Sequence, residues 1–180
     1  SINESDAITA VSDNLREETY RSFRIEKDIR VIPNFVDTQR FFKSDKEHFK
    51  QMLAPNGERI LVHVSNFRKV KRVEDVIRVF ERLHASIPSK LLMIGGGPER
   101  QNAEELCRSL RICNDIRFLG KQDQVDEILS ITDLFLLPSQ YESFGLAALE
   151  AMACGVPVIS TNTGGLPEIN IHGKTGFLSD

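Results

Sequence analysis

The chain has 180 residues, of which 41% are hydrophobic and 27% charged, a balance typical of a globular domain with its own core. The net charge of -3 argues against bulk binding to nucleic acid, and no apolar run approaches the roughly 20 residues that cross a bilayer as a helix. The chain starts with Ser1 rather than Met, has no secretion signal and stops after a strand-like run, so we expect a fragment of a longer protein.

Residues 1–57 follow no single repeating pattern. A short β-like run, "AITAV", precedes Ser12, which can cap a helix over "DNLREETYRSF". A second strand, "IRVIPNFVD", closes with a Pro-Asn turn, and the polar region over 38–58 contains the loop signal "APNGE". We predict that residues 1–57 are the edge of a neighbouring domain followed by a linker.

From residue 58 onward, strands alternate with helices. The apolar strand runs are "RILVHVS", "KLLMIGGG", "IRFLG", "DLFLLPS", "VPVIST" and "TGFL", and most stretches between them have apolar residues at helical spacing. This alternation predicts a parallel sheet covered on both faces, an open, doubly wound, Rossmann-like α/β fold over residues 58–180. In such a sheet, ligands bind beyond the carboxyl ends of the strands, next to helix N-termini.

Two loops at that edge have features of phosphate sites. The first, "GGGPER", fails the dinucleotide pattern G-x-G-x-x-G because Arg100 stands at the last glycine, so a tight turn packed against a neighbour is favoured over ligand contact. The second, "RKVKR", follows "LVHVSN" and presents Arg68 and Lys71. A diphosphate needs such cations, but a solvated loop with ordinary surface charges fits this cluster equally well.

A helix predicted within "YESFGLAALEAMACG" is apolar nearly all round from 144 to 154, yet it has Glu142 at its mouth and Glu150 near its middle. Such a helix is normally buried, and a buried carboxylate is costly unless it is paired or hydrogen-bonded. Glu150 lies about 80° around the helix and two turns from Glu142, so both side chains can face one cavity from different depths. There they could accept hydrogen bonds from the vicinal hydroxyls of a sugar or ribose. Structural roles stay open, with Glu142 a favourable charge at the helix N-terminus and Glu150 in a buried salt bridge.

Other motifs indicate less about function. The glycines of "TNTGGLPEI" can let backbone approach a neighbour, and His63 is expected to be a hydrogen-bonded core residue. Three scattered cysteines form neither a disulfide framework nor a CxxC motif, so we expect buried thiols and a reducing, cytoplasmic setting. No metal triad or Ser/His/Asp set is present in the sequence, and a glycosidase pair is disfavoured because both glutamates share one helical segment.

Taken together, these motifs resemble the C-terminal, donor-binding domain of retaining glycosyltransferases with the two-domain GT-B fold (group 1 or family 4 type). The most specific mark is E-x7-E, here Glu142 and Glu150 in "YESFGLAALEAMACGVPVISTNTGGLPEI", and "LLMIGGGPE", "FLG" and "DLFLLPS" occur in the family's order. The stretches "HVSNFRKVKRVEDVIRVF" and "FLGKQDQVDEIL" look like the branch of N-acetylglucosaminyl L-malate synthases, which begin bacillithiol synthesis. The resemblance implies that residues 1–57 end the acceptor domain and cross to residues 58–180, a donor domain truncated at its C-terminus.

The resemblance also implies a role for each candidate residue. Lys71 and Arg68 would hold the diphosphate, although many family members place the arginine where this chain has Asn66. Glu142 would hydrogen-bond the donor sugar and Glu150 the ribose. The remaining donor-binding positions act through backbone groups: Ser143, Phe144, Gly145 and Leu146 at the sugar and phosphate, and Lys121 and Gln122 at the uracil edge.

The implied reaction moves GlcNAc from UDP-GlcNAc to the hydroxyl of L-malate with retention of the α-configuration. Arg68, Lys71 and the helix N-terminus would stabilise charge on the leaving phosphate, so neither metal nor cofactor is expected. The leaving phosphate would accept the acceptor's proton on the same face, and Glu142 would position the sugar rather than attack it. Because the acceptor domain is absent, we expect the isolated chain to bind nucleotide weakly and turn over nothing.

Two other classes stay open on the sequence alone. One is a non-catalytic nucleotide-binding module of regulatory or NAD type, against which the failed G-x-G-x-x-G counts. The other is a UDP-GlcNAc epimerase-type domain, in which E-x7-E is less expected. No nucleic-acid partner and no transmembrane segment are expected, and the sequence leaves open whether the chain forms a homo-oligomer.

Overall fold

The computed structural model describes residues 2–44 and 46–180. The β-strands within this part of the chain are β1 (Ile8–Ala10), β2 (Ile29–Val31), β3 (Arg59–Ser65), β4 (Ser89–Gly95), β5 (Ile116–Gly120), β6 (Leu134–Leu137), β7 (Val158–Thr161) and β8 (Gly176–Ser179). Six of them form one parallel sheet in the order β5-β4-β3-β6-β7-β8. This sheet confirms the predicted parallel architecture.

The α-helices lie between the strands and cover both faces of the sheet. They are α1 (Asp13–Ser22), α2 (Glu47–Leu53), α3 (Val73–His84), α4 (Arg100–Ser109), α5 (Val125–Ser130), α6 (Leu146–Ala153) and α7 (Leu166–Ile169). Alternate residues of a strand point to opposite faces. Ile60 and Val62 of β3 therefore pack with α5 and α6, whereas Leu61 packs with α3 and α4. The doubly wound α/β fold is thus confirmed.

The chain reverses its direction across the sheet between β3 and β6. From β3 it moves outward through β4 to β5, then returns to place β6 on the other side of β3 and continues to β7 and β8. At such a switch point the loops after the two central strands diverge and open a crevice. The loop after β3 carries the basic cluster and the loop after β6 carries Glu142, so the topology brings both to this crevice.

The N-terminal residues form a second, two-stranded parallel sheet of β1 and β2, connected through α1. The polar region predicted as a linker contains α2, in which Phe49 and Leu53, four residues apart, pack against the main core. Phe41 and Ala54 are buried in the same core, so this stretch is attached to the larger sheet. The domain boundary at residue 57 stays a prediction.

The cysteines depart from expectation in one respect. Cys107 in the last turns of α4 and Cys113 beyond the helix form a disulfide, with Cα atoms 5.1 Å apart. The expectation of free thiols was wrong for this pair because Arg111 adopts a left-handed conformation (φ 60°) and turns the chain back on itself. Cys154 is a buried free thiol as expected, and burial raises its pKa to about 11.

Candidate functional site

A cleft of about 340 Å³ lies at the switch point, beyond the carboxyl ends of β3 and β6. Its lining includes Ser65, Asn66 and Lys71 from the loop after β3, and Glu142, Gly145 and Glu150 from the β6–α6 loop and α6. The structure therefore brings Lys71 and both glutamates to one cavity. The sequence predicted that the two glutamates share a cavity from helical spacing, but α6 begins at Leu146, so Glu142 reaches the cavity from the loop before the helix.

Lys71 and Glu142 form an ion pair at the cleft. Lys71 Nζ lies 2.5 Å from Glu142 Oε1, and the two side chains are only 18% and 14% exposed. Ser139 Oγ donates a hydrogen bond to the same carboxylate oxygen at 3.1 Å. The other oxygen, Oε2, has no donor among the described residues, so it can accept from a ligand hydroxyl. Lys71 likewise has two N–H groups left for phosphate oxygens.

Glu150 is half-buried in α6, and burial raises the pKa of its carboxyl, an effect that the positive charge of Arg40 partly opposes. Within the described residues the Glu150 carboxylate has neither a hydrogen-bond donor nor an ion-pair partner. The buried salt bridge left open by the sequence is therefore not found. A carboxyl group that faces a cleft and has no protein donor is suited to ligand hydroxyl groups.

Arg68 is not brought to the cleft. Phe67 is fully buried in a left-handed conformation (φ 40°), and its ring stacks on His63. This turn leaves Arg68 exposed at the surface, while Asn66 on the other side of Phe67 lines the cleft. Of the two predicted cations, the structure therefore places Lys71 beside the glutamates.

The N-terminus of α6 opens onto the cleft. Gly145, with φ of 92°, precedes the helix, and Leu146 and Ala147 of the first turn also line the cavity. The first N–H groups of a helix lack intrahelical acceptors and favour negative charge. Of the remaining predicted positions, Phe144 is buried and Ser143 turns its carbonyl toward α1.

Lys121 and Gln122 lie apart from this cavity. They follow β5, at the end of the sheet beyond β4, and both are exposed. Gln122 Nε2 donates to Leu119 O at 2.6 Å, which closes the turn after the strand. They share the carboxyl edge of the sheet with the cleft without lining it.

Glycines fix both loops of the cleft by close backbone packing. A Cβ atom on Gly95 would lie 1.8 Å from Ser65 O and one on Gly97 would lie 2.1 Å from Asn66 O. The "GGGPER" loop is thus a tight turn packed against the loop after β3, the interpretation that the sequence favoured. On the other side, a Cβ on Gly164 would lie 1.9 Å from Glu142 O. The "TNTGGLPEI" loop therefore holds the backbone of Glu142.

His63 is the hydrogen-bonded core residue that the sequence indicated. Its Nδ1 lies 2.9 Å from Leu136 O, and a carbonyl can only accept, so the proton is on Nδ1. Ser65 Oγ, 2.8 Å from Nε2, then donates to the ring and accepts from Phe67 N–H at 3.2 Å. Burial, with the nearby charge of Lys71, lowers the pKa of His63 to about 4. The ring is thus neutral at pH 7, and it fixes the turn that precedes Lys71.

Sequence reasoning missed the supporting residues of the site. Ser139 and Ser65 were not singled out, because hydroxyl residues next to strand ends are common and neither belongs to a motif. Their only signal is proximity, since Ser139 lies three residues before Glu142 and Ser65 two residues after His63. Within the described residues no cluster of three His, Cys, Asp or Glu side chains is placed to hold a metal, and no helix is long and apolar enough to span a membrane.

A doubly wound sheet with a cleft at its switch point is typical of α/β domains that bind a ligand at the carboxyl edge of the sheet. A family model described as glycosyl transferases group 1 matches residues 44–180, and the chain belongs to that family. The resemblance inferred from E-x7-E is therefore confirmed, and the two alternative classes are not favoured.

Individual relatives agree with this assignment. N-acetyl-alpha-D-glucosaminyl L-malate synthase of Bacillus anthracis is 47% identical over 99% of this chain and 47% of its own length. Glycogen synthase of Mycobacterium tuberculosis is 33% identical over 97% of this chain and 42% of its length. The chain thus spans about half the length of the curated relatives it matches.

Solved structures match over nearly the whole chain. Sucrose-phosphate synthase from Thermosynechococcus elongatus has a TM-score of 0.87 at 28% identity, covering 98% of this chain and 46% of that one. Anabaena Alr3699/HepE in complex with UDP-glucose has a TM-score of 0.89 at 22% identity, covering 98% and 50%, and supports the fold alone. The chain therefore corresponds to one half of a GT-B fold.

Proposed function

We propose that the intact protein containing this chain is a retaining hexosyltransferase that moves GlcNAc from UDP-GlcNAc to the hydroxyl of L-malate in the cytoplasm. The observation that carries the proposal is the cleft that joins Lys71, Glu142 and Glu150 in a chain 47% identical to a Bacillus anthracis enzyme named for that reaction. One solved structure of the same fold is a complex with UDP-glucose, and we take a nucleotide sugar of that class as the donor.

Glu142 would hold the donor sugar. Its Oε1 is occupied by Lys71 at 2.5 Å and Ser139 at 3.1 Å, which fixes the carboxylate and leaves Oε2 for sugar hydroxyls. A carboxylate fixed in this way by a cation is a poor nucleophile, so Glu142 positions the anomeric carbon rather than attacking it. Glu150, further along α6, would accept from the ribose hydroxyls.

Lys71 and the N-terminus of α6 would hold the diphosphate. As the bond to the sugar breaks, negative charge grows on the β-phosphate, and groups already aimed at it stabilise the transition state. The leaving phosphate would then accept the proton of the malate hydroxyl on the same face, which gives retention. Because Arg68 is exposed, we assign the cationic role in this half of the protein to Lys71, and we expect neither metal nor cofactor.

The backbone near Lys121 and Gln122 would complete the donor site at the uracil. These residues share the carboxyl edge of the sheet with the cleft, with the β4 glycine loop between them. A donor extended along this edge would place its sugar at Glu142 and its base beyond the glycines. The acceptor would bind to the part of the protein outside this chain, so the isolated 180 residues should bind nucleotide weakly and transfer nothing.

The decisive experiment supplies UDP-GlcNAc to the intact protein with and without L-malate and follows UDP release. We expect malate-dependent release and an α-linked product by NMR, undiminished by EDTA. Release that is independent of malate would reject this acceptor, and inversion at the anomeric carbon would reject the proposed course. Detectable transfer by the isolated chain would reject its expected inactivity.

A further inference from the structure

Helix α1 is attached to the loop that carries Glu142. Ser12, 1% exposed, accepts a hydrogen bond from Leu15 N–H at 3.1 Å and so caps α1. The same hydroxyl donates to Ser143 O at 2.6 Å, a contact between residues 131 positions apart. One further turn along the helix, Glu18 accepts a hydrogen bond from the hydroxyl of Tyr141. The residues on both sides of Glu142 are thus fastened to α1.

Glu168 fastens α1 a second time. Its two carboxylate oxygens accept from the backbone N–H groups of Asp13 at 2.9 Å and Asn14 at 2.8 Å. These are first-turn N–H groups, which have no acceptor within the helix and favour a negative partner. A carboxylate that uses both oxygens in this way is held in orientation as well as in position.

The two attachments form a closed circuit around Glu142. Glu168 lies three residues after Gly165, whose N–H donates to Glu142 O at 2.8 Å. The circuit therefore runs from Ser12 to Ser143, along the chain to Glu142, across to Gly165 and through Glu168 back to α1. Because it closes, a shift of α1 would either break these hydrogen bonds or move the backbone of Glu142. None of these contacts involves Glu150 or Lys71.

We propose that Ser12 and Glu168 are positioning residues for Glu142, so that contact with the donor sugar depends on the placement of α1. This inference rests on the proposed function, in which Glu142 binds the sugar and Glu150 the ribose. Displacing a fixed group by about 1 Å is enough to lose much of its effect on a bound substrate. Since α1 lies in the segment predicted to border the acceptor domain, any shift of α1 on binding there would change the affinity for the sugar, and the effect would be reciprocal.

A positioning role for Ser12 and Glu168 predicts a pattern of ligand affinities that a purely structural role does not. Loss of either attachment should weaken binding of UDP-GlcNAc more than binding of UDP, which has no sugar to contact Glu142 and feels its displacement only through Lys71. In the intact protein, we expect Ser12→Ala and Glu168→Gln each to raise the Kd of UDP-GlcNAc about fivefold, the effect of one lost hydrogen bond, with a smaller rise in the Kd of UDP. Ser12→Thr, which keeps the hydroxyl, should restore the affinity.

Matched controls change the same chemical groups elsewhere. Glu17→Gln alters a carboxylate on α1 whose partner is its neighbour Arg16, and Ser109→Ala removes a hydroxyl bonded to Leu106 O at the end of α4. Both should bind UDP-GlcNAc as wild type does. Glu168 is exposed, so Glu168→Gln retains the fold even where loss of the buried Ser12 hydroxyl lowers stability.

Glu142→Gln separates the two proposals. If Glu142→Gln leaves the Kd of UDP-GlcNAc unchanged, the assigned role of Glu142 fails. The positioning role is overturned, and the role of Glu142 stands, if Glu142→Gln weakens binding of UDP-GlcNAc but Glu168→Gln does not. The same conclusion follows if Glu168→Gln weakens binding of UDP and of UDP-GlcNAc equally. In the Glu142→Gln background, the added Ser12→Ala change should have no further effect on UDP-GlcNAc.

Discussion

Glu150→Gln removes one half-buried carboxylate and changes almost nothing in shape, so it separates a binding role from a structural one. Burial raises the pKa of the Glu150 carboxyl, and the carboxylate has no hydrogen-bond or ion-pair partner within the described residues. In the free protein its charge is therefore unfavourable, whereas bound UDP would offer it two ribose hydroxyls. The substitution should stabilise the free protein and weaken the complex with UDP.

The magnitude follows from the number of acceptor oxygens. A Gln amide keeps one acceptor, so one charge-assisted hydrogen bond of about 1.5–3 kcal/mol is lost, which raises the Kd of UDP by about 10- to 150-fold. The stability effect has a definite sign. A carboxyl with a raised pKa in the fold carries no penalty below its pKa in the unfolded chain, and the full penalty above its pKa in the fold. The variant should gain stability at pH 7 and match wild type in acid.

Two measurements on the intact protein test this prediction: calorimetric titration with UDP at pH 7, and thermal unfolding from pH 4 to pH 8. Glu105→Gln on α4, an exposed carboxylate bonded to Gln101 at 2.9 Å, is the control and should change neither. If Glu150→Gln binds UDP as tightly as wild type, or unfolds at a lower temperature at pH 7, the carboxylate has a structural partner and the ribose role is refuted.

Three further predictions concern residues of β3 and of the loops next to the cleft. Lys71→Met should lower kcat by about 10²- to 10³-fold because a group aimed at the leaving phosphate is removed. Arg68→Met should change kcat by less than about threefold because an exposed charge acts weakly, and equal losses in the two variants would contradict the assignment. Gly164→Ala would place a Cβ atom 1.9 Å from Glu142 O, so it should lower the free energy of unfolding, measured by urea titration, by about 1–3 kcal/mol. An unchanged free energy of unfolding would show that the loop moves aside without cost. Burial holds His63 neutral, with a pKa of about 4, so the free energy of unfolding should be unaffected by this residue above pH 6.5. As the pH falls to 4, the free energy of unfolding should drop by about 3 kcal/mol, a loss that urea titrations of His63→Gln should lack.

Much of the main sheet could be predicted because its strands are apolar runs and its helices have one apolar face. Both signals are local, and they persist in any environment that buries them. The shared cleft of Glu142 and Glu150 was predicted correctly, but the helical spacing used for that prediction does not apply, because α6 begins at Leu146 and Glu142 lies in the loop before it. Helix α2 was missed because its apolar face consists of few residues in a polar stretch.

The remaining features depend on contacts between distant segments. The direction of Arg68 is decided by the left-handed turn at Phe67, which the glycine loop after β4 and the hydroxyl of Ser65 hold in place. Ser12 was identified correctly as a helix cap, but its second bond, to Ser143, needs a partner 131 residues away. The Cys107–Cys113 disulfide depends on a left-handed arginine that no propensity favours.

The attachment of α1 also has a consequence for biosynthesis. Its hydrogen bonds to Ser143 and Glu168 span 131 and 155 residues, so they cannot form until nearly the whole chain has been made. At about 5–20 residues per second, α1 leaves the ribosome roughly 8–30 s before Glu168 does. The N-terminal segment of this chain is therefore synthesised first and secured last. Until Glu168 has been synthesised, α1 lacks its second attachment, so the circuit around Glu142 can close only late in the synthesis of this segment.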